Sequence, residues 1–125
     1  LNTLMNQRHQ DAKKASENGE YEYAEILLKS ICSEFRTLVE RSIENDLLCG
    51  VVQRFQRPVH TLKLKELAKL EGSDCNFLDS LMTKYSGFEH SQPTESPVEL
   101  PKPDDLLADM TSLKEWREDY AKRSA

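Results

Sequence analysis

From Glu20 onward the chain carries one long apolar stripe. Ala24, Leu27, Leu28, Ile31, Phe35, Leu38, Val39 and Ser42 recur three and four residues apart. That spacing puts them on one face of a helix predicted over Tyr21–Glu44. Upstream, Leu4, Met5, Ala12 and Ala15 stand among polar residues and predict a weaker amphipathic helix over residues 2–18, stopped by Asn18-Gly19. Beyond Glu44 the apolar phase rotates. Leu47, Leu48, Val51, Val52 and Phe55 fall on a different face, with Gly50 among them. We read a bend near Asn45-Asp46 and further helix to about Phe55, with Pro58 blocking a clean continuation.

The next segment, "TLKLKELAKL", alternates briefly and then becomes helical. A short strand at His60–Leu64 would have no partner, so a helix over Lys63–Leu70 is the favoured reading. Ser73 or Asp74 can cap the following helix. Phe77, Leu78, Leu81, Met82 and Tyr85 form its apolar face, and Ser86-Gly87 is its expected end. Residues 91–103 hold four of the five prolines and no periodicity, which predicts an extended connection. A last helix should begin near Pro103, with Asp104 and Asp105 at its positive dipole end. Leu106, Leu107, Met110, Leu113, Trp116 and Tyr120 are its buried stripe, with Trp116 expected against the long helix. The fold class is therefore all-α: one domain over residues 1–125, an irregular bundle of five or six helices around a long central one. "GEYEYAEILLKSI" has a tetratricopeptide flavour, but no second copy follows.

Composition agrees with a helical protein. Charged residues make up 31% of the 125 and aromatics only 7%, a poor composition for a β-sandwich core. The net charge of −5 excludes general attraction to nucleic acid, so any phosphate contact needs a local basic patch. Cys32, Cys49 and Cys75 are widely spaced and odd in number, which argues for reduced thiols and a cytoplasmic location. No apolar run is long enough to span a bilayer, so no membrane partner is expected. The chain begins at Leu1 rather than Met, which we read as a piece of a longer protein.

Phosphate-loop chemistry is missing. Gly19, Gly50, Gly72 and Gly87 are isolated and form neither a Walker loop nor a dinucleotide fingerprint, so no cofactor is expected. His9, His60 and His90 lack metal-ligand spacing, so no metal is expected either. Three constellations remain. Arg36 and Glu40 lie four apart on the long helix, close enough to form an ion pair. His90, between Glu89 and Ser91, is a candidate general acid or base, against the plainer reading of a loop histidine. Arg54, Arg57, His60 and Lys63 form the most basic stretch, a candidate nucleic-acid-binding patch or simply a solvated basic face.

These stretches carry a resemblance. "FRTLVERSIENDLL", "LMTKYSGFEHSQP" and "LPKPDDLLADMTSLKEWREDYAKR" resemble the C-terminal helical region of bacterial AAA-family ATPases of the ABC/SMC-like group, many of them in phage-defence systems. A more distant similarity is to the HEPN-type ribonuclease domain of anticodon nucleases. That family has an R-x-x-x-E on a helix and a downstream histidine beside a serine, matched here by Arg36, Glu40, His90 and Ser91. Arg54 and His60 also fit the short Arg-to-His spacing of HEPN ribonucleases, although Phe55 and Pro58 depart from the pattern between them.

The resemblance implies two alternatives. One is an interaction or regulatory module whose partner is the remainder of a parent ATPase. The other is a metal-independent ribonuclease acting on RNA through Arg36, Glu40 and His90. A homodimer is compatible with either.

Overall fold

The structure, a computed structural model, describes residues 3–54, 56–89 and 101–123. Among them every regular element is helical, as the pattern predicts: α1 (Thr3–Glu17), α2 (Tyr21–Ser42), a π-helical turn (Ile43–Leu47), a 3-10 helix (Thr61–Lys69), α3 (Gly72–Glu89) and α4 (Pro103–Lys122). Most of the connection expected at 91–103 lies outside the described residues, as do Phe55 and His90.

α2 is the spine and packs against α1, α3 and α4. Its apolar stripe sinks as expected, with Ala24, Leu28, Ile31, Cys32, Phe35, Val39 and Ser42 buried. Met5, Ala12 and Ala15 of α1, Leu78, Leu81 and Tyr85 of α3, and Leu106, Met110, Leu113 and Tyr120 of α4 are buried with them. Leu107, assigned to the α4 stripe, instead faces out at 41% exposure. The α1–α2 turn closes on Gly19 at φ +79°, where the Glu20 amide donates to the Ala15 carbonyl at 2.8 Å. That six-to-one bond ends the helix, and the left-handed backbone it needs favours glycine.

The phase rotation has a structural cause. In the π-turn the Leu48 amide reaches back five residues to the Ile43 carbonyl, at 2.9 Å. Such a turn inserts an extra residue into the helical repeat. After Val39 and Ser42 the next inward position is therefore Leu47, one place later than α-helical spacing would put it. The helix does not resume toward Phe55. Cys49 (φ +52°) and Gly50 (φ +72°) are both left-handed and reverse the chain. Val51 stays buried, Val52 is half exposed, and the Val51 carbonyl accepts the His60 amide at 2.7 Å.

Two further expectations are corrected, and the expected Asp74 cap is found. The segment after Pro58 is helical but of 3-10 type, and none of its residues is buried. The Asp74 side chain caps α3 from inside the first turn, accepting the Glu71 amide at 2.8 Å. α3 runs past Ser86-Gly87 to Glu89, so this glycine does not end the helix.

Candidate functional site

Arg36, Glu40 and Glu44 follow one another at four-residue spacing down one flank of α2 and into the π-turn. A guanidinium η nitrogen of Arg36 lies 3.2 Å from a Glu40 carboxylate oxygen, and its Nε donates to the Ser86 hydroxyl of α3, also at 3.2 Å. The second Glu40 oxygen accepts from Arg54 at 2.5 Å, and Arg54 Nε donates to Glu44. The chain reversal at Cys49-Gly50 is what brings Arg54 back against the helix it left. The result is one line of polar contacts, Ser86–Arg36–Glu40–Arg54–Glu44.

The electrostatics of the line follow from that geometry. The Glu40 and Glu44 side chains are only 16% and 19% exposed, and each lies against the Arg54 guanidinium. Hydrogen bonds to Glu44 and then Glu40 raise the already high pKa of Arg54. Two guanidiniums face two carboxylates, so the cluster offers a phosphate no net positive charge. It clamps α2, the following loop and α3 together.

By sequence Arg36 and Glu40 read as a helical ion pair and Arg54 as part of a basic stretch; the structure joins them. Arg57, His60 and Lys63, grouped with Arg54 by sequence, stand apart from the clamp and are exposed. His60 Nε2 sits 2.9 Å from the Gln56 amide oxygen. His60 and Lys63 line an open groove of about 500 Å³ together with Gly50, Gln53 and Leu62. His90 lies outside the described residues. Sequence reasoning did not assign Glu44 and Ser86; the R-x-x-x-E-x-x-x-E run from Arg36 was the available signal for Glu44.

A second polar centre joins the start of α3 to the end of α4. Asp74 is 2% exposed and accepts from Arg123 at 2.6 and 3.2 Å, from Trp116 Nε1 at 3.0 Å and from the Glu71 amide. Burial alone would raise this carboxyl. The bonds from Arg123, Trp116 and the Glu71 amide outweigh burial and hold it below its ordinary value. Trp116 stacks on Tyr120, with centroids 4.9 Å apart, and leans toward Phe77. Its indole N–H thus bonds the start of α3, and the ring packs on the core only half-buried, not fully buried as the sequence predicts.

On α1, the buried His9 donates from Nε2 to the Pro103 carbonyl at 2.5 Å, tying that helix to the start of α4. No group of three or more His, Cys, Asp or Glu side chains among the described residues is arranged to hold a metal ion. None of the described helices is long and apolar enough to cross a membrane. No family model, curated protein or solved structure matches the chain.

Proposed function

We propose that this chain is the helical interaction and regulatory domain of a bacterial defence-type ATPase, with no ATP site of its own. The observation that carries the reading is the segment after Pro58. No residue of the 3-10 helix is buried, and Leu62 is 93% exposed, with Val59 and Leu64 close to half exposed. A run of aliphatic side chains held off the core is a contact surface waiting for a partner. The resemblance of three stretches to ATPase C-terminal regions supplies the kind of parent.

The test uses the longer parent protein. Hydrogen exchange across residues 56–66 should differ between nucleotide-free and ATP-bound states, and Leu62→Asp should uncouple ATP turnover from the protein's output. Equal exchange in both states, with Leu62→Asp behaving as wild type, overturns the reading.

One observation favours the ribonuclease alternative. The contact of Arg36 with Ser86 sets the basic end of the clamp against α3 at a point four residues before His90 in sequence. RNA carries its own nucleophile. A base takes the proton of the 2′-hydroxyl, the oxygen attacks the adjacent phosphorus, and an acid protonates the departing 5′-oxygen. On this reading His90 moves protons, Arg36 binds the phosphoryl oxygens, and Glu40 orients Arg36. Arg36→Ala and His90→Ala would each abolish RNA cleavage in the parent protein while circular dichroism shows the helices of each variant intact. Cleavage that survives both substitutions removes the alternative.

A further inference from the structure

The chain carries two exposed patches of opposite character. The first surrounds the start of α2. Tyr21, Tyr23 and Ile26 are 71%, 52% and 65% exposed. Glu17, Glu20 and Glu22 lie among them, all exposed, with no cation between residues 17 and 26; the exposed Glu25 beside them pairs with Lys29. The second is the arm after Pro58, where Val59, Leu62 and Leu64 are 54%, 93% and 48% exposed. There the charged neighbours are Arg57, Lys63 and Lys65, with no acid between residues 56 and 65. One patch is aromatic and acidic, the other aliphatic and basic. Each offers what the other lacks, in a chain whose overall charge is −5.

The two patches cannot satisfy one another within a single molecule. The acidic patch sits on the first turns of α2. The basic arm is tied near the other end of that helix, where the His60 amide bonds the Val51 carbonyl, and the 22 residues of α2 span about 30 Å. Every copy therefore presents both halves of the contact at opposite ends. Two copies laid antiparallel would make the same arm-to-patch contact twice and close on themselves.

We propose that the basic arm at residues 57–65 docks on the acidic aromatic patch at residues 17–26 of a second copy of this chain. The inference rests on the reading of the chain as an interaction module and names the partner. Charge steers the encounter, and the apolar side chains, covered on both sides, hold it.

The experiment is sedimentation of the 125-residue chain over a range of concentrations. The expected mass rises from monomer to dimer with concentration, and salt weakens the association. Lys63→Glu with Lys65→Glu should give a monomer, since an acidic arm then meets an acidic patch. Glu20→Lys with Glu22→Lys should give a monomer for the mirror reason. Mixing the two variants should restore a heterodimer, because each then supplies the charge the other has reversed. Circular dichroism of each variant checks that the helices are intact. A wild-type chain that stays monomeric at every concentration overturns the proposal, as do reversed variants that associate as well as wild type. If the chain is monomeric while the arm still changes its hydrogen exchange with nucleotide in the parent protein, self-docking falls and the module reading stands.

Discussion

The rings of Phe35 and Tyr85 meet edge to face, 4.8 Å between centroids at an interplanar angle of 79°. The Tyr85 hydroxyl then donates to Asp109 at 2.6 Å, so this side chain of α3 bridges α2 to α4. Burial first, and the Asp109 carboxylate second, push the Tyr85 phenol well above its ordinary value, which keeps it a hydrogen-bond donor at any physiological pH. Phe35 is fully buried at this junction. Phe35→Ala removes the ring and leaves a cavity where three helices meet, and should cost about 3–5 kcal/mol. Urea unfolding followed by circular dichroism measures it. A loss well under ~1 kcal/mol would show that the junction collapses without Phe35.

Asp74 makes stability depend on acid. Its native carboxyl titrates below the ordinary value of 3.8, held there by Arg123, Trp116 and the Glu71 amide against the opposing effect of burial. A lowered native pKa means that the unfolded chain takes up the proton first as the pH falls. The stabilisation is therefore whole above about pH 5 and is lost as the pH drops through the unfolded and then the native value. Asp74→Asn should lower stability near neutrality by about 1–3 kcal/mol, because the Arg123 bonds lose their anionic acceptor. It should also flatten the fall in stability between neutral and acid pH. Unfolding curves that run parallel for wild type and variant down to pH 3 would count against this role.

The architecture was legible where a single helical period ran unbroken. The stripe from Ala24 to Ser42 could bury its face in no other conformation, and the stripe from Leu106 to Tyr120 was nearly as clear. The phase shift after Glu44 was visible too, but its cause was not. Neither the π-turn nor a left-handed Cys49 has a reliable signature in residue type, so the segment toward Phe55 read as more helix. Gly87 misled in the other direction, because a lone glycine costs a helix only about 1 kcal/mol and packing can override it. Periodicity tells which face of α4 is buried but not which neighbour covers it. The stripe therefore points Trp116 inward without revealing Asp74, at the start of α3, as the acceptor of its indole N–H. The clamp was half legible: Arg36 and Glu40 by helical spacing, Arg54 only through a chain reversal that the sequence does not announce.

Trp116 reports on the α3–α4 contact. It is half-buried, stacked on Tyr120, and donates its indole N–H to a carboxylate. Its emission should fall between that of a core tryptophan and that of a free one, with partial quenching by iodide. Asp74→Ala should shift the emission to longer wavelength and make quenching more efficient, while Phe35→Ala, far from the indole hydrogen bond, should not do so in the folded protein. An unshifted spectrum in Asp74→Ala would mean that the stacking on Tyr120 alone positions the indole.

Arg54 should govern the loop more than the global fold. Its side chain is 54% exposed, yet it bonds two poorly exposed carboxylates on the helix it has just left. Removing it leaves Glu40 with Arg36, while Glu44 loses its bond to Arg54. Arg54→Ala should therefore speed amide exchange in residues 48–60, including the His60 amide that bonds Val51, with little change in the midpoint of global unfolding. Exchange unchanged across that loop would show that the left-handed turn at Cys49-Gly50 holds it without the clamp.

The three cysteines should react in an order set by packing. Cys75 is exposed, Cys49 is half-buried, and Cys32 lies in the core of α2. Burial pushes the Cys32 thiol up to about 12, partly relieved by Lys84 and reinforced by Asp109. The thiolate is the reactive species, and at pH 8 a thiol with so high a pKa supplies almost none of it. Even that small fraction is out of reach of a reagent while Ile31, Phe35 and the other α2 core side chains remain packed. A colorimetric thiol reagent added to the folded protein at pH 8 should therefore label Cys75 first and Cys49 more slowly, stopping at two equivalents. The third equivalent should appear only as the chain unfolds, so its rate should rise with urea in step with the unfolding rate and not with reagent concentration. Phe35→Ala, by loosening the packing around α2, should bring that third phase forward at the same urea concentration. Rapid labelling of all three thiols in the native protein would place Cys32 outside the core and undo the packing described for α2.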